Sequence, residues 1–428
     1  MKKQDDVPLI FNLFPRHFKT IDNWAEIIPH VKEMGFNAIF VNPFHETGFS
    51  GSLYAVKDYY RLNPLFLKKG QDPSDFSPLK KFIKKCKDND MDIIMDLVIN
   101  HTAFDSVLTT SHPEWYKHDN EGRLMNPFAI DPGDGNKVTV WGDLAIIDND
   151  GSSDRDGLWN YWDSLVAFFQ KMGILGYRCD AAYQVPAPLW DRLISSAKKR
   201  EPGTMFYAET LGCQLSQIEA LAHVGFDYLF NSSKWWKYDQ PWALEQHQSN
   251  KRIAPSIAFP ESHDTERLAS EYPGTIEAQK GRYAFESLFS KGLMMTMGFE
   301  YGAKTRMDVV KGSPEHVDKP QWDLTQWIGI INDLKMKIPV LGEEGAWRTL
   351  CDYNQPFLFL RKDSDSGSKP VCVCVNKNLT GETTIEEWMI PPDVKNCSRA
   401  ITLTSSKPAE EPVPKAFALE PADVVLFM

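Results

Sequence analysis

The stretch Ile174-Leu-Gly-Tyr-Arg-Cys-Asp180 decides how this chain is read. An apolar run of strand length ends in a carboxylate, with an arginine two positions before it. Residues two apart in a strand share a face, so Arg178 and Asp180 project to the same side. The pattern returns elsewhere. Asp92-Ile-Ile-Met-Asp-Leu-Val-Ile-Asn-His101 carries Asp96, Asn100 and His101, Met205-Phe-Tyr-Ala-Glu209 ends in Glu209, and Ser256-Ile-Ala-Phe259 runs into Glu261-Ser-His-Asp264. One aspartate after a strand is commonly a helix N-cap. Acidic groups ending so many separate runs, two beside a histidine and one beside an arginine, point instead to one shared site. Carboxylates so placed suit glycosyl chemistry, in which one attacks and another moves a proton.

Working outward, short apolar runs alternate with helical patterns. The strand candidates are Leu9–Leu13, Asn37–Val41, Asp92–Ile99, Ile174–Cys179, Met205–Ala208, Tyr228–Phe230, Ser256–Phe259 and Leu293–Met297. Amphipathic stretches lie between them: Trp24–Met34, Leu79–Lys87, Leu158–Met172, Pro188–Lys199, Ile276–Ser290 and Leu324–Met336. Strands alternating with helices argue for parallel βαβ units. Eight of them argue for an α/β fold built on a (β/α)8 TIM barrel, whose site faces the C-terminal ends of its strands. The connection over 102–156 is too long for a turn and reads as a small subdomain inserted after strand 3. A shorter insertion, Phe44–Asp75, follows strand 2. Near Gly342 the helical pattern stops. Phe357–Arg361, Val371–Val375, Thr383–Trp388 and Val424–Phe427 read as strands of a C-terminal antiparallel β-sandwich. The expected organisation is 1–101 and 157–341 for the barrel, 102–156 for the insertion and 342–428 for the sandwich.

Hydrophobic residues make up 42% of the 428 and charged residues 25%, an ordinary globular composition. The net charge of -11 and the lack of a basic run argue against a nucleic-acid surface. No apolar stretch approaches the roughly 20 residues that span a bilayer, so no membrane role is expected. Met1-Lys-Lys-Gln-Asp-Asp6 lacks an apolar leader, and a cytoplasmic location is the expectation. The seven cysteines agree, since an odd number leaves one unpaired. Cys372-Val-Cys374 is too tight for zinc, and buried reduced thiols are expected.

The motifs resemble those of the α-amylase superfamily of retaining glycoside hydrolases and transglycosidases, glycoside hydrolase family 13. Asp96-Leu-Val-Ile-Asn-His101 is similar to its first signature, Gly176-Tyr-Arg-Cys-Asp-Ala-Ala182 to the second, Ala208-Glu209-Thr210 to the third and Ser262-His-Asp264-Thr to the fourth. Tyr54-Ala-Val-Lys-Asp-Tyr59 resembles the loop carrying a sugar-stacking tyrosine, and Gly298-Phe-Glu-Tyr-Gly302 the segment after the eighth strand. The resemblance implies a catalytic trio. Asp180 would be the nucleophile, Glu209 the acid/base and Asp264 the partner of sugar hydroxyls. It also implies substrate contacts from Tyr54, Asp58, His101, Arg178 and His263. Arg178 would keep Asp180 ionised and oriented.

One departure bears on the acceptor side and one on the donor side. Tyr183-Gln184 stands where the family often has Lys-His, so acceptor recognition rests on Tyr183 and Gln184 themselves. The family's calcium site is thereby put in question. Asn100 and Asp143 are the candidate ligands for a calcium ion, and no cofactor is required. Ser262 stands where the family usually has asparagine, a shorter side chain expected to reshape the donor side. His112-Pro-Glu-Trp-Tyr116 is similar to a stretch of bacterial maltosyltransferases that use maltose 1-phosphate, enzymes that need an anion site near the leaving group. Trp115, Trp141, Trp235 and Trp236 are candidate sugar platforms or packing residues. The lead expectation is α-amylase-like hydrolysis of α-linked glucose oligomers or polymers, because water needs no acceptor pocket. The alternative is a transglycosidase or phosphate-using maltosyltransferase. A second alternative is a non-catalytic glucan-binding or interaction protein. Such a protein would be expected to lose some carboxylates, and this chain keeps all three.

Overall fold

Eight parallel strands close into a barrel: β1 (Leu9–Leu13), β2 (Ala38–Val41), β3 (Asp92–Leu97), β4 (Gly176–Cys179), β5 (Met205–Glu209), β6 (Tyr228–Phe230), β7 (Ser256–Ala258) and β8 (Gly292–Thr296). Each strand pairs with the next in sequence, and β8 returns to β1 with Leu9 opposite Leu293. The computed structural model describes residues 7–130, 136, 138–236 and 240–428. The first six residues, 131–135 and 137 of the insertion, and 237–239 lie outside the described residues.

Both faces of these strands are buried, which is why they read as continuous apolar runs. Odd-numbered positions such as Phe11, Ile39, Met95, Tyr177 and Cys179 pack under the surrounding helices. On the other face, Phe40, Ile94, Tyr207, Phe230, Phe259 and Met294 fill the barrel interior. Gly176 shares that inner layer. A Cβ there would lie 2.6 Å from Ile94 Cγ1, so the layer has no room for a larger residue. One pleat above, the inward positions turn polar: Asn12, Asn42, Asp96, Arg178, Asp180 and Glu209 are all buried.

The helices expected over Leu79–Lys87, Leu158–Met172, Pro188–Lys199, Ile276–Ser290 and Leu324–Met336 form as Ser77–Lys87, Arg155–Met172, Ala187–Arg200, Ile276–Phe289 and Thr325–Lys337. Asp154 caps the second of these by accepting from Gly157 N at 3.2 Å, and Gly173, at φ +101°, ends it. The stretch Trp24–Met34 is not one helix. It breaks into Ile21–Trp24, a 3-10 turn at Ala25–Ile27, and Ile28–Glu33, because Pro29 has no N–H to continue the ladder.

The insertion after β2 is a hairpin, His45–Thr47 against Val56–Leu62. The insertion after β3 holds two more, His101–Ala103 against Leu144–Ile146 and Phe128–Ile130 against Val138–Val140. Beyond the last barrel helix stands a six-stranded antiparallel sheet. Its order is Ala346–Thr349, Phe357–Asp363, Val371–Asn376, Val424–Phe427, Arg399–Thr402 and Glu410–Pro412, with a two-stranded sheet of Thr383–Ile385 and Phe417–Leu419 beside it. Strand alternation sorts the apolar residues. Phe357, Phe359, Cys372, Cys374, Val425 and Phe427 join Ile385 and Leu419 in a core of their own. Leu358, Leu360, Val371, Val373, Val424 and Leu426 face the other way and merge with the main core. The strand expected over Thr383–Trp388 stops at Ile385, and a 3-10 turn follows at Glu387–Met389.

Buried lysines fix the seam between the layers. Lys362, on the sheet, donates to Leu288 O at 2.8 Å and Phe289 O at 3.3 Å, the last carbonyls of helix Ile276–Phe289. Lys335 donates to Ser287 O, Ser290 O and Leu341 O, each at 2.7 Å. All seven cysteines are free, with Cys86, Cys179, Cys372 and Cys374 buried and Cys213, Cys351 and Cys397 partly so.

Candidate active site

Strand register places the charges. Arg178 on β4 sits directly beside Asp96 on β3, and both point inward. Its Nη1 lies 2.7 and 2.9 Å from the two Asp96 oxygens and 2.9 Å from Asp180 Oδ1, the next inward position on its own strand. Its Nη2 lies 4.0 Å from Glu209 Oε2. One guanidinium therefore stands among three carboxylates from three strands.

The chain turns sharply after Asp180. Ala181 takes a left-handed conformation, φ +41°, which costs a non-glycine residue about 1 kcal/mol or more. The turn aims Ala181 N at Glu209 Oε2, 2.8 Å away, while Leu211 N reaches Glu209 Oε1 at 2.5 Å. Burial pushes the Glu209 carboxyl up to about 7, with the Asp180 charge adding and Arg178 and the two N–H donors opposing. A carboxyl in that range holds a proton near neutrality and can release it.

Tyr54 closes the far side. Its hydroxyl donates to Asp96 Oδ2 at 2.7 Å, accepts from Asn42 Nδ2 at 3.1 Å and lies 2.6 Å from His263 Nε2. The Tyr54 and His263 rings stack with centroids 5.4 Å apart. His263 Nε2 also lies 3.0 Å from Asp264 Oδ2. Asp264 is enclosed by the cleft walls yet open to the cleft. Burial opposes its charge, but His263, Arg178 and Arg306 together hold its carboxyl down at about 2. Ser262 does not shape the cleft: it is buried, and its Oγ accepts from Asp264 N at 3.2 Å, steadying the neighbouring aspartate.

Of these groups Tyr54, Arg178, Asp180, Glu209 and Asp264 border a cleft of about 560 Å³, while Asp96 and His263 are buried behind its wall. The cleft brings together Tyr54, Asn100, His101, Asp143, Arg178, Asp180, Tyr183, Gln184, Glu209 and Asp264. Burial lowers the basicity of His101, whose Nε2 is buried without a protein partner. Of the four tryptophans, Trp141 and Trp235 border the cleft, 40% and 51% exposed. Trp115 and Trp236 are buried packing residues. Asp58 is a correction. It does not line the cleft; its Oδ1 accepts from Tyr60 N at 2.8 Å, so the carboxylate serves its own turn.

Sequence reasoning missed the residues that hold the rim. Arg16 Nε donates to Val309 O at 2.9 Å and its Nη2 to Gly51 O, tying the loop after β8 to the loop after β2. Ser52, Val309 and Val310 reach the cleft through that tie. Asn12 Nδ2 supports Asn42 Oδ1 at 2.9 Å, and Asn42 in turn supports Tyr54. The inward parity of Asn12 was a readable signal; the loop contacts had none.

Asn100 and Asp143, the residues proposed for calcium, both border the cleft. Calcium takes six to eight oxygens. Asn100 Oδ1 is buried without a partner, but its Nδ2 faces Gln184 Oε1 at 3.4 Å. The nearby Asn149 amide is committed at both ends, to Ile99 O and Trp162 Nε1. Among the described lining residues the only cation is Arg178, already shared by carboxylates.

Residues 9–132 match the family described as "Glycogen debranching enzyme, glucanotransferase domain". The chain is 24% identical over 372 residues to an alpha-1,4-glucan:maltose-1-phosphate maltosyltransferase of Burkholderia pseudomallei, covering 83% of this chain and 32% of the relative. It is 21% identical over 389 residues to the protein of the same name from Myxococcus xanthus, covering 84% and 56%. The chain thus spans between a third and little more than half of these relatives. Among solved structures, an alpha-amylase from Lactobacillus plantarum superposes with a TM-score of 0.76 at 20% identity, covering 99% of both chains. A maltogenic alpha-amylase from Thermotoga neapolitana gives 0.76 at 20% identity over 100% and 99%. Among the described residues no helix is long and apolar enough to cross a membrane.

Proposed function

Because this chain belongs to the α-amylase superfamily, we propose that it is a retaining enzyme acting on α-linked glucose chains, moving a glycosyl unit from one neutral chain to another. The observation that carries this reading is the Arg178 guanidinium set between Asp96, Asp180 and Glu209. Arg178 donates to Asp180 and holds it in place, as a nucleophile must be held. Asp180 attacks the anomeric carbon, and the glycosidic bond breaks as Glu209 gives its proton to the departing oxygen. The result is a glycosyl ester on Asp180 and a free leaving chain. Glu209, now a carboxylate, takes the proton of an incoming hydroxyl, which displaces Asp180 and restores the original configuration. Asp264 and His101 hold sugar hydroxyls, and Tyr54 offers its ring.

The acceptor follows from the rest of the wall. Trp141, Tyr183 and Trp235 give the cleft aromatic faces that suit a sugar ring. Four carboxylates, Asp143, Asp180, Glu209 and Asp264, border it; Arg178 is the one basic side chain among the described lining residues, and Arg306 stands behind Asp264. An acidic wall of this kind suits an uncharged glucan. Hydrolysis, the lead expectation from sequence, is the same chemistry with water as acceptor.

Maltoheptaose, alone and with inorganic phosphate, tests this. Chains both longer and shorter than seven units are expected, unchanged by phosphate. Shorter chains alone would make the enzyme a hydrolase. A sugar phosphate would overturn the neutral-donor assignment, and no turnover by a folded protein would overturn the whole reading.

A further inference from the structure

Between the barrel and the C-terminal sheet lies a second hollow, of about 460 Å³. Its wall is partly that of the catalytic cleft, because Trp235 borders both. Trp235, Tyr272 and Leu379 stand 51%, 85% and 41% exposed around it. Single exposed apolar residues are normal on a protein surface. Three around one concavity form a patch of the kind that marks a binding site. The aromatic post is fixed. Trp235 ends the 3-10 turn Ser233–Trp235, and the Arg282 guanidinium donates to the carbonyls of Ser233 and Lys234, the latter at 2.7 Å. Polar groups stand beside the patch. Lys234 Nζ meets Glu271 Oε1 at 2.8 Å, with the lysine buried and the glutamate carboxylate 40% exposed.

Aromatic faces edged by a paired, charge-neutral acceptor and donor match a glucose ring, whose C–H faces are apolar and whose rim is hydroxyls. We infer that this hollow is a second glucan site. It holds a distant stretch of the same α-linked chain whose reacting part lies in the cleft, with Trp235 common to both. The inference rests on the glucan-active reading above. Continuity through Trp235 makes the second contact intramolecular for a long chain, raising its effective concentration. A chain too short to reach both places gains nothing.

Tyr272→Ala and Leu379→Asn test it, since both side chains are exposed and neither borders the cleft. Retardation in native gels containing soluble amylopectin reads polymer binding, and maltotriose turnover reads the cleft. Both variants should keep maltotriose turnover within about twofold. Tyr272→Ala should weaken retardation about three- to tenfold, the range set by one lost aromatic contact. Retardation equal to the parent in both variants would overturn the inference. So would a Tyr272→Ala change in sedimentation with retardation intact, which would make the hollow a contact between copies of the chain. A parent that turns over maltotriose but is not retarded sinks this inference alone. A parent that does neither sinks the functional reading with it.

Discussion

Glu209→Gln should make the protein's stability less dependent on pH. The parent carboxyl is raised from an ordinary 4.5 to about 7, first by burial and then by the Asp180 charge. Below pH 4.5 it is neutral folded and unfolded, and no charge is buried. As pH climbs from 4.5 through about 7, the unfolded chain releases the proton more readily, and stability falls. Above that window the loss is complete. At about 1.4 kcal/mol per tenfold, the full swing is roughly 3 kcal/mol. Spread over an unfolding entropy of about 2.1 cal/mol/K per residue, roughly 0.9 kcal/mol/K for the 428 residues, that is a shift near 3 °C. Glutamine keeps the shape but only one oxygen, so either Ala181 N or Leu211 N loses its acceptor, a cost that does not vary with pH, and the amide has no proton to lose. Melting curves at matched scan rates should therefore show the variant gaining about 3 °C on the parent between pH 5 and pH 8.5. A gap that stays constant over that range would refute the reasoning, because an ordinary glutamate could not hold the proton that the leaving group needs.

Asp180→Asn should lower turnover by orders of magnitude while circular dichroism stays that of the parent; near-normal turnover would remove it from the role of nucleophile. Arg178→Lys substitutes a point charge that cannot span Asp96 and Asp180 together, so melting should show a loss of about 3 kcal/mol and kcat should drop about 100-fold. Tyr54→Phe removes the hydroxyl joining Asp96 to His263. Stability should fall by about 1 kcal/mol and kcat/KM about tenfold, and an unchanged kcat/KM would make the hydroxyl incidental. Trp141→Ala should reduce the share of lengthened products from maltoheptaose without abolishing chain cleavage, a ratio that chromatography reads directly.

The barrel was legible because its strands are buried on both faces and leave apolar runs bounded by charge. All eight runs became strands, since neighbouring helices force burial on one side and the filled interior forces it on the other. The site was legible for the same reason. Parity alone puts Arg178 and Asp180 on the inner face, and register then puts Arg178 beside Asp96. Loop chemistry was not legible. Asp58 looked like a ligand beside Tyr54, but an aspartate before a turn can equally accept from its own backbone, and here it does. Trp115 and Trp141 share one insertion, yet one is buried and the other borders the cleft, a difference set by how hairpins fold back rather than by local pattern. The short strands Ala346–Thr349, Arg399–Thr402, Glu410–Pro412 and Phe417–Leu419 escaped notice because three or four residues carry too little alternation.

Lys362 makes the joint between barrel and sheet a keyed one. Its ammonium fills the carbonyl end of helix Ile276–Phe289, where the helix dipole favours a cation and two backbone oxygens have no partner within the helix. Slipping the sheet by a single strand position, about 3.3 Å, would carry the charge away from both carbonyls and leave it buried without them, at a penalty of several kcal/mol. The layers therefore cannot rock against each other as jaws do. The rim loops carry no such key: Arg16 ties them to each other and not to the sheet.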